Sequence, residues 1–172
     1  FANNGQQCLA GSRILVQRSI YNKFRDALVE KANAMIIGDP NDPATDIGAV
    51  NSEPHMEKIL SYIDLAKQEG GKILCGGKRR ILDGVNKGGY FIEPTLIEGL
   101  DNRTRTNQEE IFGPVATLIP FDTEEEAVAI ANDSDYGLCA TIWTKDSDKA
   151  CRVADKLEAG MPWINSWFLR AL

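Results

Sequence analysis

Short apolar runs alternate with segments of helical period along most of this chain, and that alternation limits its fold more than any other feature. Residues 12–17 form an apolar, partly β-branched run bounded by Gly11 and Ser19, which predicts a strand. Ser19 can cap a helix over 20–35 that carries Ile20, Phe24, Leu28, Ala32 and Met35 on one face. Loop residues follow at 38–43, and Ser52 can cap a second helix with Pro54 in its first turn and Met56, Ile59, Leu60 and Ile63 as its apolar stripe. A strand at 72–75 stops at Gly76-Gly77, and 76–90 reads as a Gly-rich, basic surface loop. Phe91-Ile92 and Thr95-Leu96-Ile97 flank Pro94, which predicts an edge or bulged strand. A strand at 115–120 precedes a helix opened by the capping-box pair Thr123 and Glu126. Another strand at 138–143 is followed by a helix from Ser147 to about Leu157, ended by Gly160, and by a last strand at 163–165. Strands that alternate with helices imply an α/β fold with a largely parallel sheet.

At 172 residues the chain can hold one domain with a real core. No apolar run reaches the ~20 residues of a membrane helix. The start, Phe1-Ala2-Asn3-Asn4-Gly5, lacks the basic and apolar regions of a signal peptide and an initiator Met, so we expect the chain to begin inside a longer protein. A net charge of −6 argues against nucleic-acid and anionic-membrane partners. Cys8, Cys75, Cys139 and Cys151 show no metal-ligand spacing, and His55 is the one histidine, so no zinc site is expected. Free thiols in a reducing, cytoplasmic compartment fit this pattern. No G-x-G-x-x-G cradle for a dinucleotide is present.

Two segments carry chemistry. In Asn4-Gly5-Gln6-Gln7-Cys8-Leu9-Ala10-Gly11 a thiol stands in a polar stretch bracketed by glycines, just before the first strand. An exposed cysteine at a turn with backbone N–H groups nearby meets the conditions for a nucleophile and an oxyanion hole, although a free cysteine is more often a small packing residue. In Gln108-Glu109-Glu110-Ile111-Phe112-Gly113-Pro114-Val115 a carboxylate, a ring and a Gly-Pro turn precede a buried strand. Taken alone, Glu110 reads equally as a solvated turn acid. Glu109 and Glu110 are a poor acid/base pair, because adjacent side chains in an extended segment point apart.

Taken together, in this order and about 100 residues apart, the two segments resemble the active-site cysteine and E-x-F-G-P motifs of the aldehyde dehydrogenase superfamily. The similarity extends to Ile20-Tyr21, Phe24, Gly38-Asp39-Pro40, Gly76-Gly77, Pro94-Thr95, Asn132, Tyr136-Gly137-Leu138, Gly160 and Trp163-Ile164-Asn165, and so covers essentially the whole chain. The resemblance implies a three-layer, mostly parallel sheet with helices on both faces. It implies that Cys8 is the nucleophile, attacking an aldehyde to give a thiohemiacetal and then a thioester that water hydrolyses. Glu110 then matches the glutamate that hydrogen-bonds the nicotinamide ribose, and Phe112 the ring beside it. Cys75, Cys139 and Cys151 match no catalytic position and read as packing residues. The implied cofactor, NAD or NADP, is bound mainly by a domain outside residues 1–172, which also lack the family's general-base glutamate, oxyanion asparagine and oligomerisation segment. A homo-oligomer is implied for the complete protein. Pro162 departs from the apolar residue usual before the Trp, and we expect the strand ladder to begin late there.

The tail Trp163-Ile164-Asn165-Ser166-Trp167-Phe168-Leu169-Arg170 falls where the family builds its substrate mouth. Trp167 and Phe168 suit a flat or conjugated substrate, and Arg170 suits a carboxylate. This string, with Asp101-Asn102-Arg103, is similar to that of dehydrogenases of muconic semialdehydes. A betaine-aldehyde or aliphatic-aldehyde branch is the alternative, as is a folded piece with no catalysis of its own. The E-x-F-G-P motif argues against γ-glutamyl phosphate reductase.

Overall fold

A computed structural model describes residues 1–169. In chain order the elements are β1 (Arg13–Gln17), α1 (Tyr21–Ala34), α2 (Glu53–Gln68), β2 (Lys72–Cys75), β3 (Arg79–Arg80), β4 (Phe91–Ile92), β5 (Thr95–Glu98), α3 (Arg105–Gln108), β6 (Val115–Phe121), α4 (Glu124–Asn132), β7 (Cys139–Ile142), α5 (Ser147–Ala154) and β8 (Met161–Ile164). The main sheet has the order β1-β6-β5-β2, parallel throughout except that β2 runs antiparallel to β5. A separate parallel pair joins β7 to β8, and a short antiparallel pair joins β3 to β4.

The two central strands are buried on both faces, which is why they read as continuous apolar runs rather than alternating ones. Consecutive residues there serve opposite layers. Ile97 and Val115 join Met56, Ile59, Ile63 and Ala66 of α2 in one core cluster. Leu96 and Ala116 join Ala32 of α1, with Leu28 and Val29 packed against them, in another. The sheet thus lies between α1 and α2, giving the expected α/β layers. Burying a side chain such as Ile59 fully stabilises the fold by about 2 kcal/mol.

Several local expectations are corrected. No side chain caps α1, which grows out of a short 3-10 turn at Arg18–Ile20; Ser19 sits inside that turn. Of the face expected on α1, Ile20 and Phe24 are exposed, and only the C-terminal half packs on the sheet. Pro94 splits the predicted strand into β4 and β5, and β5 is central, not an edge; the irregular register lies opposite, in β2 between Ile73 and Cys75. Thr123 accepts from the Glu126 N–H at 3.2 Å as a capping box requires, but Glu126 returns its bond to Asp122 N–H, one residue early. α5 starts at Ser147 as expected, capped by Asp146, which accepts from Lys149 N–H, but ends at Ala154 and not near Leu157. Pro162 does not delay the ladder. β8 begins at Met161, whose N–H donates to Leu138 O at 3.1 Å, and Pro162 stands opposite Ala140. A proline fits where the strand needs no donor toward its neighbour.

Candidate active site

The Cys8 segment is shaped by backbone conformation. Asn3, Asn4 and Gly5 are consecutive left-handed residues with φ of 51°, 58° and 65°. Asn and Gly tolerate that region best, so the Asn-Asn-Gly string folds the chain back on itself, with Gln6 N–H donating to Asn3 O. Asn4 is buried and donates from Nδ2 to Ala49 O at 3.1 Å. A turn closed by Ala10 N–H to Gln7 O follows, and it leaves Cys8 exposed while Leu9 is buried. Two buried amide oxygens, Asn4 Oδ1 and Gln7 Oε1, have no partner among the described residues. Arg13, just beyond, anchors the segment by donating to Asn102 Oδ1, Ile130 O and Ala131 O.

The second segment is held by side chains of α2 and by Glu69, the residue that ends it. Glu69 accepts from the N–H groups of Arg105 and Thr106 and from the Thr106 hydroxyl, closing the start of α3. Glu109 accepts from the Arg105 guanidinium at 2.7 and 3.0 Å and from the Tyr62 hydroxyl. Arg105 first, and Tyr62 next, hold the Glu109 carboxyl down at about 2. Glu110 is exposed, and its carbonyl accepts from Lys58 Nζ at 2.9 Å. Phe112 is left-handed at φ 58°, half-buried, and its carbonyl lies 2.7 Å from His55 Nε2. A carbonyl only accepts, so that nitrogen carries the hydrogen. The two rings meet edge to face, with centroids 6.3 Å apart.

The segments meet at a pair of glycines. A Cβ placed on Gly5 would stand 2.2 Å from Gly113 O, and one on Gly113 would stand 2.6 Å from Ile59. Only glycine lets the thiol loop, the Gly-Pro turn and α2 come this close. The tail joins the same loop at the residue after the thiol. Trp167 Nε1 donates to Leu9 O at 3.3 Å, and its ring lies 5.1 Å from that of Phe168, which is itself left-handed at φ 63°. Arg170 lies outside the described residues.

Of the remaining cysteines, all expected to be packing residues, one fits and two depart. Cys75 is buried, with its thiol pushed up by burial, as a packing residue should be. Cys151 is exposed on α5 and packs nothing away from water. Cys139 is half-buried, with Sγ 3.7 Å from Leu9 O; burial first, and Cys8 next, push its thiol up, so it belongs to the surroundings of Cys8. The reading of α2 for its apolar stripe passed over His55, Lys58 and Tyr62, and Glu69 just past the helix end. They share helical spacing, but nothing in the sequence says what that polar stripe faces. No group of three potential metal ligands occurs among the described residues, and no helix there is long and apolar enough to cross a membrane.

Comparison with known proteins adds identity to this geometry. A 5-carboxymethyl-2-hydroxymuconate semialdehyde dehydrogenase of Escherichia coli is 49% identical over all of this chain, which spans 37% of that protein. A 2-aminomuconic semialdehyde dehydrogenase of Bos taurus is 47% identical over all of the chain, which spans 36% of that protein. Among solved structures, a betaine aldehyde dehydrogenase of Staphylococcus aureus in complex with NAD+ superposes with a TM-score of 0.93 at 47% identity, over 98% of this chain and 33% of that one. A point mutant of that enzyme, also with NAD+ and with a BME-modified cysteine, superposes equally well. The chain therefore spans about a third of the length of the proteins it matches. The profile of the aldehyde dehydrogenase family matches residues 1–171, and with a match of that extent the chain belongs to the aldehyde dehydrogenase family.

Proposed function

We propose that the protein carrying this chain oxidises an aldehyde to a carboxylic acid with NAD or NADP, and that residues 1–172 are its catalytic domain. The observation that carries this reading is the Gly5–Gly113 contact, which joins the loop of an exposed thiol to the loop bearing Glu110 and Phe112. Cys8 as thiolate adds to the aldehyde carbon, and the oxygen that becomes negative can take the Cys8 N–H, for which no acceptor occurs among the described residues. The acyl group then stays on sulfur as a thioester until water releases the acid and restores the thiol. Bound NAD(P) supplies acceptance of hydride at the substrate carbon. Toward it this chain offers the exposed Glu110 carboxylate, suited to ribose hydroxyls, and the Phe112 ring. The rest of the dinucleotide site, the general base and the oligomer contacts are assigned to other segments of the protein. A homo-oligomer in the cytoplasm, acting on a small aldehyde, is the corresponding reading of its setting.

The substrate assigned is a muconic-type semialdehyde bearing a carboxylate. Its support is the tail: the Trp167 and Phe168 pair stands at the Leu9 carbonyl beside the thiol, and Arg170 follows two residues on. A betaine aldehyde carries a cation, which an arginine repels, so Arg170 separates the two branches by sign of charge.

The test uses the full-length protein with NAD and a carboxylate-bearing semialdehyde. NADH formation is expected, and Cys8→Ser should lower it by about 10⁴-fold or more. Arg170→Ala should lower kcat/KM for that substrate about 30-fold, as loss of a charged hydrogen bond of ~2 kcal/mol implies, and should spare a neutral aldehyde of similar size. Absence of NADH formation overturns the activity. Equal losses on both substrates overturn the substrate assignment alone.

A further inference from the structure

The loop that offers Glu110 lies along one helix, and three side chains of α2 at helical spacing reach three of its residues. His55 donates to Phe112 O, Lys58 donates to Glu110 O, and the Tyr62 hydroxyl donates to the Glu109 carboxylate. Lys58 Nζ also lies 5.8 Å from the centroid of the Tyr62 ring, so the stripe is continuous. The bonds to Glu110 and Phe112 are to carbonyls and leave their side chains unconstrained. The bond from Tyr62 differs, since it grips a side chain and thereby sets the rotation of the segment.

Glu109 has extended backbone, φ −108° and ψ 147°. In extended chain, neighbouring side chains project to opposite sides. Pinning the Glu109 carboxylate against α2 therefore forces the Glu110 carboxylate away from α2 and into the open. Arg105 closes the clasp from α3, and Glu69, the residue that ends α2, anchors the start of α3 in turn, so both ends of the clasp are tied to α2 or its last turn. Without it, the two adjacent glutamates are chemically equivalent, and a turn of the segment about its axis can present either one outward.

We infer that Tyr62 is a positioning residue for cofactor binding, which selects Glu110 over Glu109 as the outward carboxylate by holding Glu109 against α2. The inference rests on the proposed role of Glu110 toward the nicotinamide ribose. It assigns no contact between Tyr62 and cofactor.

The experiment measures NAD dissociation constants by fluorescence titration of the full-length protein, without aldehyde, alongside the rate of Cys8 alkylation by iodoacetamide in the absence of nucleotide. Tyr62→Phe keeps the ring and removes the hydroxyl. It should weaken NAD binding about five- to tenfold, the scale of one ordinary hydrogen bond, because the lost bond reaches the cofactor only through the orientation of Glu110, and leave Cys8 alkylation within about twofold. Glu109→Ala, which also releases Arg105, should weaken it at least as much, and the double variant should be no weaker than Glu109→Ala alone, because that substitution already removes the clasp. If Tyr62→Phe folds poorly, Glu109→Gln, which keeps an acceptor for both donors, should bind NAD more tightly than Glu109→Ala. An unchanged NAD affinity in Tyr62→Phe and Glu109→Ala overturns the inference. So do additive losses, or equal losses in NAD affinity and Cys8 alkylation, which mark a general structural role. Failure of the unaltered protein to bind NAD overturns the underlying assignment of function instead.

Discussion

The Cys8 loop and the Glu109–Phe112 loop touch at one pair of glycines, yet they are held in opposite ways. The first takes its shape from its own backbone: three left-handed residues, one turn, and two buried amide oxygens without partners among the described residues. The second takes its shape from a neighbour, through side chains of α2 that grip it at Glu109, Glu110 and Phe112. A nucleophile needs an exposed, accessible atom, and a turn of this kind delivers one without crowding it. A carboxylate meant to meet a ligand's hydroxyls needs a fixed direction, which a rigid helix supplies better than a loop can. The contrast predicts that the first loop is sensitive to backbone changes and the second to side-chain changes.

The largest expected effect tests the first half of that contrast. Gly5→Ala places a Cβ 2.2 Å from the Gly113 carbonyl oxygen at a φ of 65°, so the backbone must move. We expect a loss of about 3 kcal/mol in stability and about 10² in kcat of the full-length protein, since a shift near 1 Å at the nucleophile costs that much. Gly11→Ala in the same segment meets no atom within 4 Å and should change stability by under about 0.5 kcal/mol. Thermal melts and steady-state rates of the pair decide it. Similar behaviour of the two variants would break the claim that backbone geometry at Gly5 shapes the thiol loop.

Thiol labelling sharpens the same half with a smaller effect. Cys8 and Cys151 are both exposed, but Cys151 lies within the last turn of α5, whereas Cys8 stands in an open turn whose own N–H has no acceptor among the described residues. Cys75 and Cys139 are pushed up by burial. Iodoacetamide followed by peptide mass spectrometry should show Cys8 modified first, Cys151 a few-fold slower, and Cys75 last. Faster labelling of Cys151 than of Cys8 would remove the advantage assigned to the turn.

The smallest effect concerns the second loop and pH. The folded Glu109 carboxyl sits at about 2 against an ordinary 4.5, chiefly through Arg105 and then Tyr62. A carboxyl lowered on folding adds stability above its unfolded value and loses it as pH falls toward the folded one. The gap in denaturant midpoint between the unaltered protein and Glu109→Gln should therefore be present at pH 7, shrink below about 4.5 and vanish near 2. The pair is well exposed, so the gap at pH 7 should be small. A gap that does not vary with pH would mean that Glu109 acts by packing, and the clasp would lose its electrostatic part.

What the sequence determined by itself is what local chemistry encodes. Period and β-branching gave β1, β6 and α2, whose Met56, Ile59 and Ile63 are buried as their spacing requires. The glycine beside the thiol and the Gly-Pro turn after Phe112 were legible as tight points in the two motifs: Gly5 is left-handed at φ 65°, and Gly113 leaves no room for a Cβ against Ile59. Tertiary structure decided the rest, because it depends on partners far along the chain. Pro94 lies before a central strand and not an edge, since β6 on one side and β2 on the other take up the pairing that a lone proline cannot predict. Cys139 came to the Leu9 carbonyl and Cys151 to the surface, although both stand in similar apolar runs, because which face a strand or helix buries is settled by what packs on it. The polar stripe of α2 looks like any solvated helix face in sequence. Only the return of the chain some 50 residues later turns Tyr62 and Glu109 into partners. A hydrogen bond between residues so far apart leaves no local mark, because its two halves satisfy different stretches of chain and only the fold brings them together.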